Sequence, residues 1–140
     1  MEILDVAIIG SGPCGMTNGI EAEKKGYHYL IFEKGSIANT IRRYPTNISF
    51  FSTAELLELE GIPFTTTSAG KRPSRQEAME YYLKIAQHFD LKISQYTTVE
   101  NISKEDDLFK VETDQGDYLA KNVVLAIGYF DNANKINVPG

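Results

Sequence analysis

The sequence predicts an α/β fold in which a parallel sheet is extended by a small antiparallel β-meander. The apolar run from Ile3 to Ile9 ends at a glycine, which is typical of a buried parallel strand. A helix-forming stretch separates this run from a second β-rich run, Tyr27 to Glu33, and this order predicts two parallel neighbours. Short strand-like segments between turn residues near the carboxyl end predict the meander.

Two helices are expected beside the sheet. The first spans Pro13 to Lys25, because proline is tolerated in a first helical turn and Gly26 ends the pattern. The second begins after Ser74, which forms a capping box with Glu77. Its apolar face consists of Ala78, Tyr82, Ile85 and Phe89. The stretch Leu91 to Gln95 follows as the predicted third parallel strand.

The remaining sequence divides into an irregular middle and a regular end. Residues 34–72 show no clear pattern apart from a helical turn expected within Ser52 to Gly61. The stretches TVENISK, LFKVETD and YLAKNVVLAIG then predict strands, with turns at EDD and DQG. The meander is expected to feed a last buried strand, Asn122 to Ile127.

The bulk composition argues against several classes of function. The chain has 140 residues, 42% hydrophobic and 24% charged, as in a soluble globular domain. A net charge of −5 disfavours nucleic acid as a partner, and no apolar run reaches the roughly 20 residues of a membrane span. The sequence has a single cysteine and no signal-peptide pattern, which predicts a reduced, cytoplasmic setting. It shows no spacing of metal ligands, so no metal is expected.

Three glycines in the stretch GSGPCG, between the first strand and the first helix, follow the pattern of a phosphate-binding turn. Gly10 permits a sharp exit from the strand, Gly12 lets backbone N–H groups approach a pyrophosphate, and Gly15 lets the helix pack closely on the strand. The anion would lie at the positive end of the helix dipole. The motif therefore predicts a Rossmann-like dinucleotide-binding fold.

Glu33 ends the second strand roughly 20 residues after these glycines, at the spacing of an acid that binds ribose hydroxyls. A carboxylate suits a vicinal diol and repels a 2′-phosphate, which disfavours NADP in this turn. The alternative is a glycine turn that only packs a helix on a strand, with Glu33 merely exposed. The agreement of strand, turn, helix and acid favours the ligand site.

FAD and NAD both fit such a turn, and the end of the predicted last strand favours FAD. Ala126 and Gly128 lie at its carboxyl end, beside the expected dinucleotide. The stretch LAIG around them resembles the Ala-Thr-Gly segment of flavoproteins with two dinucleotide-binding domains, with Ile127 in place of threonine. In that superfamily the N-terminal glycine turn binds FAD.

Longer stretches make the resemblance more specific: IIGSGPCGM, FEKGSIANTIRRYPTNISFFSTAELLELEGIPF, KRPSRQEAMEYY and VVLAIGYFDNANKINVPG. Together they resemble the YpdA-type bacillithiol disulfide reductases, a group of thioredoxin-reductase-like flavoproteins, over essentially the whole chain. The resemblance implies NADPH-dependent, FAD-mediated reduction of a low-molecular-weight thiol disulfide. The group's second glycine motif for the nicotinamide and its later Gly-Asp flavin segment do not occur in this sequence. Residues 1–140 are therefore expected to be an N-terminal FAD-binding portion, inactive alone, with NADPH bound elsewhere in the protein.

Two other functions stay open at the level of the sequence. A flavin-containing monooxygenase-like enzyme shares this N-terminal architecture and often a Tyr-Pro step, found here at Tyr44 and Pro45. A non-catalytic dinucleotide-binding sensor needs only the glycine turn. The oligomeric state is also open, a homo-oligomer included. A CxxC-dependent reductase is excluded for this chain because it has one cysteine.

That cysteine, Cys14, admits two interpretations. The start of a helix stabilises a thiolate, which favours reactivity, whereas a bound pyrophosphate opposes ionisation. The other interpretation is packing, since alanine often occupies this position of the motif. The resemblance implies a single working cysteine here, which would form a mixed disulfide with the substrate thiol.

The resemblance also places residues farther along the chain near the cofactor. Residues 40–53 would run past the ribityl chain or the flavin ring, with Thr46 and Asn47 as hydrogen-bonding groups. Thr98 and Val99 would meet the adenine, mostly through their main chain. The predicted cofactor-binding residues are Gly10, Ser11, Gly12, Pro13, Cys14, Gly15, Glu33, Lys34, Thr46, Asn47, Thr98, Val99, Ala126 and Gly128.

Overall fold

The computed structural model describes residues 3–131 together with residues 134, 136 and 138, and the other positions of the predicted 1–140 domain lie outside them. Its strands are β1 (Ile3–Ile9), β2 (Tyr29–Glu33), β3 (Ile93–Gln95), β4 (Val99–Glu105), β5 (Leu108–Thr113) and β6 (Gly116–Leu125). Its helices are α1 (Pro13–Lys24), α2 (Asn39–Arg42) and α3 (Arg75–His88). Two 3₁₀ turns, Ala54–Leu56 and Ala69–Lys71, lie between α2 and α3, the first where a helical turn is expected.

The six strands form one sheet in the order β3-β2-β1-β6-β5-β4. The pairs β1–β2, β2–β3 and β1–β6 are parallel, whereas β4, β5 and β6 form an antiparallel meander. The α/β fold with a parallel sheet and a small meander is therefore confirmed. In the sheet, β2 and β3 lie on one side of β1, and β6 lies on its other side. The carboxyl end of β1 is thus a topological switch point, where ligands bind in open α/β sheets.

β6 belongs to both parts of the sheet. It pairs antiparallel with β5 as far as Ala120, and parallel with β1 up to the pair of Ile9 with Leu125. The predicted bounds of the last buried strand, Asn122 to Ile127, are wrong, because β6 begins at Gly116 and ends at Leu125. Leu125 is 65% exposed. Beyond Ala120, the described part of the chain supplies a neighbouring strand along only one edge of β6.

β1 separates two layers of packing because successive side chains of a strand point to opposite faces. On one face, Ile9 packs in a cluster with Val111 of the meander. On the other face, Ile8 packs in a cluster with Ala22 of α1. A third cluster joins α1, α2 and α3 around Tyr82, which is 1% exposed. These clusters fix α1 against the sheet and α2 against α3.

One carboxylate of α3, Glu77, accepts several hydrogen bonds from the irregular segment before that helix. The predicted capping box is present: Ser74 Oγ accepts from the Glu77 N–H at 3.2 Å, and Glu77 Oε2 accepts from the Ser74 N–H at 2.8 Å. The same carboxylate accepts hydrogen bonds from Thr66 Oγ1 (2.8 Å), the Thr67 N–H (3.0 Å) and Ser68 Oγ (2.7 Å). These donors, the Ser74 N–H first, lower the pKa of Glu77 to about 2.

We expect Glu77→Gln to destabilise the protein and to change its response to acid. Because the folded pKa of Glu77 is depressed, its contribution to stability is complete above the ordinary value of 4.5 and is lost as the pH falls toward about 2. Urea unfolding at neutral pH and through this acid range measures the difference between wild type and variant.

The matched control is Glu80→Gln on the same helix, because Glu80 accepts an exposed hydrogen bond from Gln76 and is not part of the capping box. The control should keep the wild-type pH profile. If the difference in stability between wild type and Glu77→Gln were the same at neutral pH and in the acid range, the depressed pKa of Glu77 would be contradicted.

Candidate dinucleotide-binding site

The glycine turn joins the end of β1 to the start of α1, at the carboxyl edge of the parallel strands. Gly10 has a φ of +105°, and a Cβ there would lie 2.5 Å from the Ala126 carbonyl oxygen. At Gly15 a Cβ would lie 1.9 Å from the Gly10 carbonyl oxygen. Both positions require glycine because backbone atoms of the protein itself approach too closely for a side chain.

Gly12 differs, because no contact within the protein requires glycine there. Its φ of −73° and ψ of −178° are open to any residue, and a Cβ would meet nothing within 4 Å. Gly12 is the N-cap of α1, and Pro13 is the first residue of the helix. No side chain caps the N–H groups of the first turn with a hydrogen bond. Open space beside an uncapped helix N-terminus is a suitable cradle for a pyrophosphate.

Glu33, at the end of β2, is 6% exposed and lies beside this turn. Its Oε2 accepts hydrogen bonds from the Ser11 N–H (3.0 Å) and the Ser11 Oγ–H (2.8 Å), and its Oε1 accepts from the Gly35 N–H (2.9 Å). The alternative of a merely exposed Glu33 is wrong. A carboxylate offers about four lone-pair positions, so these donors leave acceptor capacity for a ribose hydroxyl.

Ala126 lies against the glycine turn, as its place after the last strand predicts. Its N–H donates to the Ile9 carbonyl oxygen at 2.9 Å. Its Cβ lies 3.6 Å from the position that a Cβ on Gly15 would occupy. Gly128 follows with a φ of +62° and is exposed. The end of β6 therefore forms one wall of the turn.

Lys34 points to a partner that sequence reasoning missed. Its ammonium pairs with Asp131, and Arg43 Nη1 lies 3.2 Å from the other oxygen of the same carboxylate. The hydrogen bond from Lys34 is the main cause that lowers the pKa of Asp131. Asp131 follows Phe130, whose ring packs edge-on against Tyr44 with centroids 4.7 Å apart. No linear pattern relates Asp131 to Lys34, because 97 positions separate them.

The other predicted residues lie outside the glycine turn. Thr46 and Asn47 are exposed in a turn after α2. Thr98 uses both of its main-chain polar groups on Asp114: its N–H donates to Oδ1 at 2.8 Å, and its carbonyl accepts from the Asp114 N–H at 3.1 Å. Val99 begins β4 and packs against the meander cluster. The cofactor contacts of these four residues stay a prediction.

Cys14 occupies the first turn of α1 and its side chain is exposed. Its carbonyl oxygen accepts from Asn18 Nδ2 at 2.9 Å, one turn along the helix. Its exposure shows that it does not fill the interior of the described structure, and its reactivity stays a prediction. Cys14 stands two positions after Gly12, at the helix end where an anion is stabilised.

The part of the chain that the structure describes lacks two other kinds of feature. Within it, no three His, Cys, Asp or Glu side chains come together as a group that could hold a metal ion. No helix in the same part is both long and apolar enough to cross a bilayer.

Comparison with known proteins adds a family to this geometry. The pattern of the family described as pyridine nucleotide-disulphide oxidoreductase matches residues 7–140. Bacilliredoxin reductase Bdr of Bacillus subtilis (strain 168) is 34% identical over 134 residues, which are 95% of this chain and 41% of that protein.

Solved structures agree with this family. Bacillithiol disulfide reductase Bdr (YpdA) from Bacillus cereus is 39% identical, with a TM-score of 0.90 over 99% of this chain and 44% of that one. A flavin-containing monooxygenase from Stenotrophomonas maltophilia is 25% identical, with a TM-score of 0.89 over 100% of this chain and 43% of that one. The chain thus spans less than half the length of these relatives.

We expect the same substitution, glycine to alanine, to differ in its effect on stability between two positions of the turn. Gly15→Ala should cost about 1–3 kcal/mol or more, because its Cβ would overlap the Gly10 carbonyl oxygen. Gly12→Ala should cost less than about 1 kcal/mol, because its backbone angles and surroundings admit a methyl group. Urea unfolding without added ligand compares the two. Equal losses would contradict the assignment of Gly12 to a ligand rather than to packing.

Proposed function

Because this chain belongs to the pyridine nucleotide-disulphide oxidoreductase family, we propose that it forms the FAD-binding part of an NADPH-dependent flavoprotein that reduces a low-molecular-weight thiol disulfide. The observation that carries the proposal is the 39% identity to a bacillithiol disulfide reductase over 99% of this chain. This chain covers 44% of that protein, so the residues that bind NADPH would lie elsewhere in the protein. The proposed setting is the cytoplasm.

The described residues fit the adenosine and pyrophosphate part of FAD. Gly12 leaves room for the pyrophosphate, and the uncapped first turn of α1 supplies N–H donors and the positive end of a dipole. The remaining acceptor position of Glu33 suits a hydroxyl of the ribose, and its negative charge disfavours a 2′-phosphate there. When bound, the flavin supplies two-electron transfer between nicotinamide and disulfide. The residues of this chain bind it and orient it.

Cys14 is the proposed nucleophile toward the substrate disulfide. Its thiolate attacks one sulfur of the substrate. A new S–S bond then joins Cys14 to one thiol, while the substrate S–S bond breaks and the second thiol leaves as a thiolate that takes up a proton. Two electrons from NADPH, by way of the flavin, would cleave the mixed disulfide and release the first thiol. No second cysteine of this sequence takes part, because Cys14 is its only one.

A flavin-containing monooxygenase-like function is the second candidate. It is favoured by the TM-score of 0.89 to such an enzyme over the whole of this chain. The identity to that enzyme is 25%, against 39% to the disulfide reductase from Bacillus cereus. The two functions differ in the oxidant that accepts electrons from the reduced flavin: a disulfide in one, and molecular oxygen in the other.

We expect the full-length protein to bind FAD and Gly12→Ala to bind it at least about tenfold more weakly, because the added methyl group would enter the space for the pyrophosphate. Flavin absorbance of the purified protein and quenching of flavin fluorescence measure this. Asn18→Ala, an exposed position on the same helix, is the matched control and should bind normally. Equal FAD affinity in Gly12→Ala would contradict the cofactor site. Stable accumulation of a flavin hydroperoxide, without disulfide-dependent NADPH oxidation, would favour the monooxygenase.

We expect Cys14→Ala in the full-length protein to keep FAD and to lose disulfide-dependent NADPH oxidation, because the mixed disulfide cannot form. Bacillithiol disulfide is the first substrate to test, and NADPH absorbance follows the reaction. Cys14→Ser, which keeps the size but is a poor nucleophile toward sulfur, should behave in the same way. If either variant retained full reductase activity with normal flavin content, Cys14 would be a packing residue.

A further inference from the structure

Ser11 stands inside the glycine turn, yet its side chain is not accessible to a ligand. It is 0% exposed, whereas Gly12 and Pro13 beside it are partly exposed. Its hydroxyl and its backbone N–H both donate to Oε2 of Glu33, at 2.8 Å and 3.0 Å. The sequence motif alone places Ser11 among the residues that touch the cofactor. These contacts instead direct its side chain entirely at Glu33 and the protein interior.

The hydroxyl of Ser11 has a second partner, the backbone N–H of Ala38, which donates to Oγ at 3.3 Å. Ala38 has a φ of 54° and a ψ of 37° immediately before α2, a conformation uncommon for a residue other than glycine. It is 3% exposed, so its N–H needs an acceptor within the protein. Ser11 therefore connects three segments: the glycine turn, the end of β2 and the start of α2.

Glu33 is held at both of its oxygens. Ser11 supplies two donors to Oε2, and the Gly35 N–H donates to Oε1 at 2.9 Å. Hydrogen bonds to an ionised carboxylate are short and about twice as strong as neutral ones, so these donors fix the plane of the group. The direction of the remaining lone-pair position is set by this plane.

We propose that Ser11 is a positioning residue, which orients the Glu33 carboxylate so that its remaining lone pair, on Oε1, accepts from a ribose hydroxyl of the bound dinucleotide. This inference rests on the proposed function, since it requires a dinucleotide in the turn. Loss of the hydroxyl leaves Oε2 with only the backbone donor and leaves the buried Ala38 N–H without its acceptor. The carboxylate then gains freedom to turn away from the ribose, and its hydrogen bond from a ribose hydroxyl is weakened.

The test compares two ligands that differ only in the ribose hydroxyls, ADP and 2′,3′-dideoxy-ADP, by calorimetry with the flavin-free full-length protein. Wild type should prefer ADP. Ser11→Ala should bind ADP about tenfold more weakly and dideoxy-ADP nearly as well as wild type does. The ratio of the affinity for ADP to the affinity for dideoxy-ADP should therefore fall toward one. Ser11→Thr keeps the hydroxyl and should restore the preference. A purely structural role predicts equal weakening of both ligands, and that result would overturn the inference.

A double-mutant cycle with Glu33→Gln provides an independent readout. If Ser11 acts through Glu33, the two losses of ADP affinity should not add, whereas additive losses would overturn the inference. If Ser11→Ala does not fold, Ser11→Cys replaces it, because cysteine has a similar size and is a weaker donor. The affinities of that variant for ADP and dideoxy-ADP are then compared in the same way. Failure of wild type to bind FAD or ADP would instead overturn the proposed function itself. Normal wild-type preference with an unchanged ratio in the variants would overturn only the role of Ser11.

Discussion

The hydrogen bonds between the buried Glu33 carboxylate and Ser11 are the interaction on which the site depends. Removing a buried carboxylate from water costs several kcal/mol unless donors compensate it. Here the donors come from the glycine turn and from Gly35, so turn and strand end adopt their positions together. The backbone continues the same connection, because the Gly10 N–H donates to the Phe32 carbonyl at 2.8 Å. Hydrogen bonds within the protein thus hold the turn against the end of β2.

Positive and negative charges lie on different sides of this turn. The N-terminus of α1 offers a partial positive charge and unbonded donors, and Glu33 offers the negative charge on the side of β2. Lys34 and Arg43 would be the natural cations for an additional phosphate, but both pair with Asp131. These two cations are therefore already paired, whereas the first turn of α1 has no side-chain cap. This arrangement suits a pyrophosphate without a 2′-phosphate on the adjoining ribose.

Local signals in the sequence predicted the elements that they control. The run from Ile3 to Ile9 is β1 at its predicted bounds, and the capping box of Ser74 and Glu77 begins α3 where expected. The additional partners of Glu77 in the preceding segment were not predictable, because they depend on how that segment folds back. The bounds of the last strand were predicted wrongly for a related reason. One strand changes partners near Ala120, and pairing partners are set by the whole sheet.

The sequence by itself determined where the site lies: three glycines, a helix start and an acid at the end of the next strand are constraints between near neighbours in the chain. It also determined that Cys14 could not pair within this chain. Only the tertiary structure decided the role of each residue. Gly10 and Gly15 are required by backbone contacts, Gly12 leaves an open space, and Ser11 turns inward to Glu33. The physical reason is that close contacts and buried hydrogen bonds depend on which segments the sheet brings together, and no spacing along the chain specifies that.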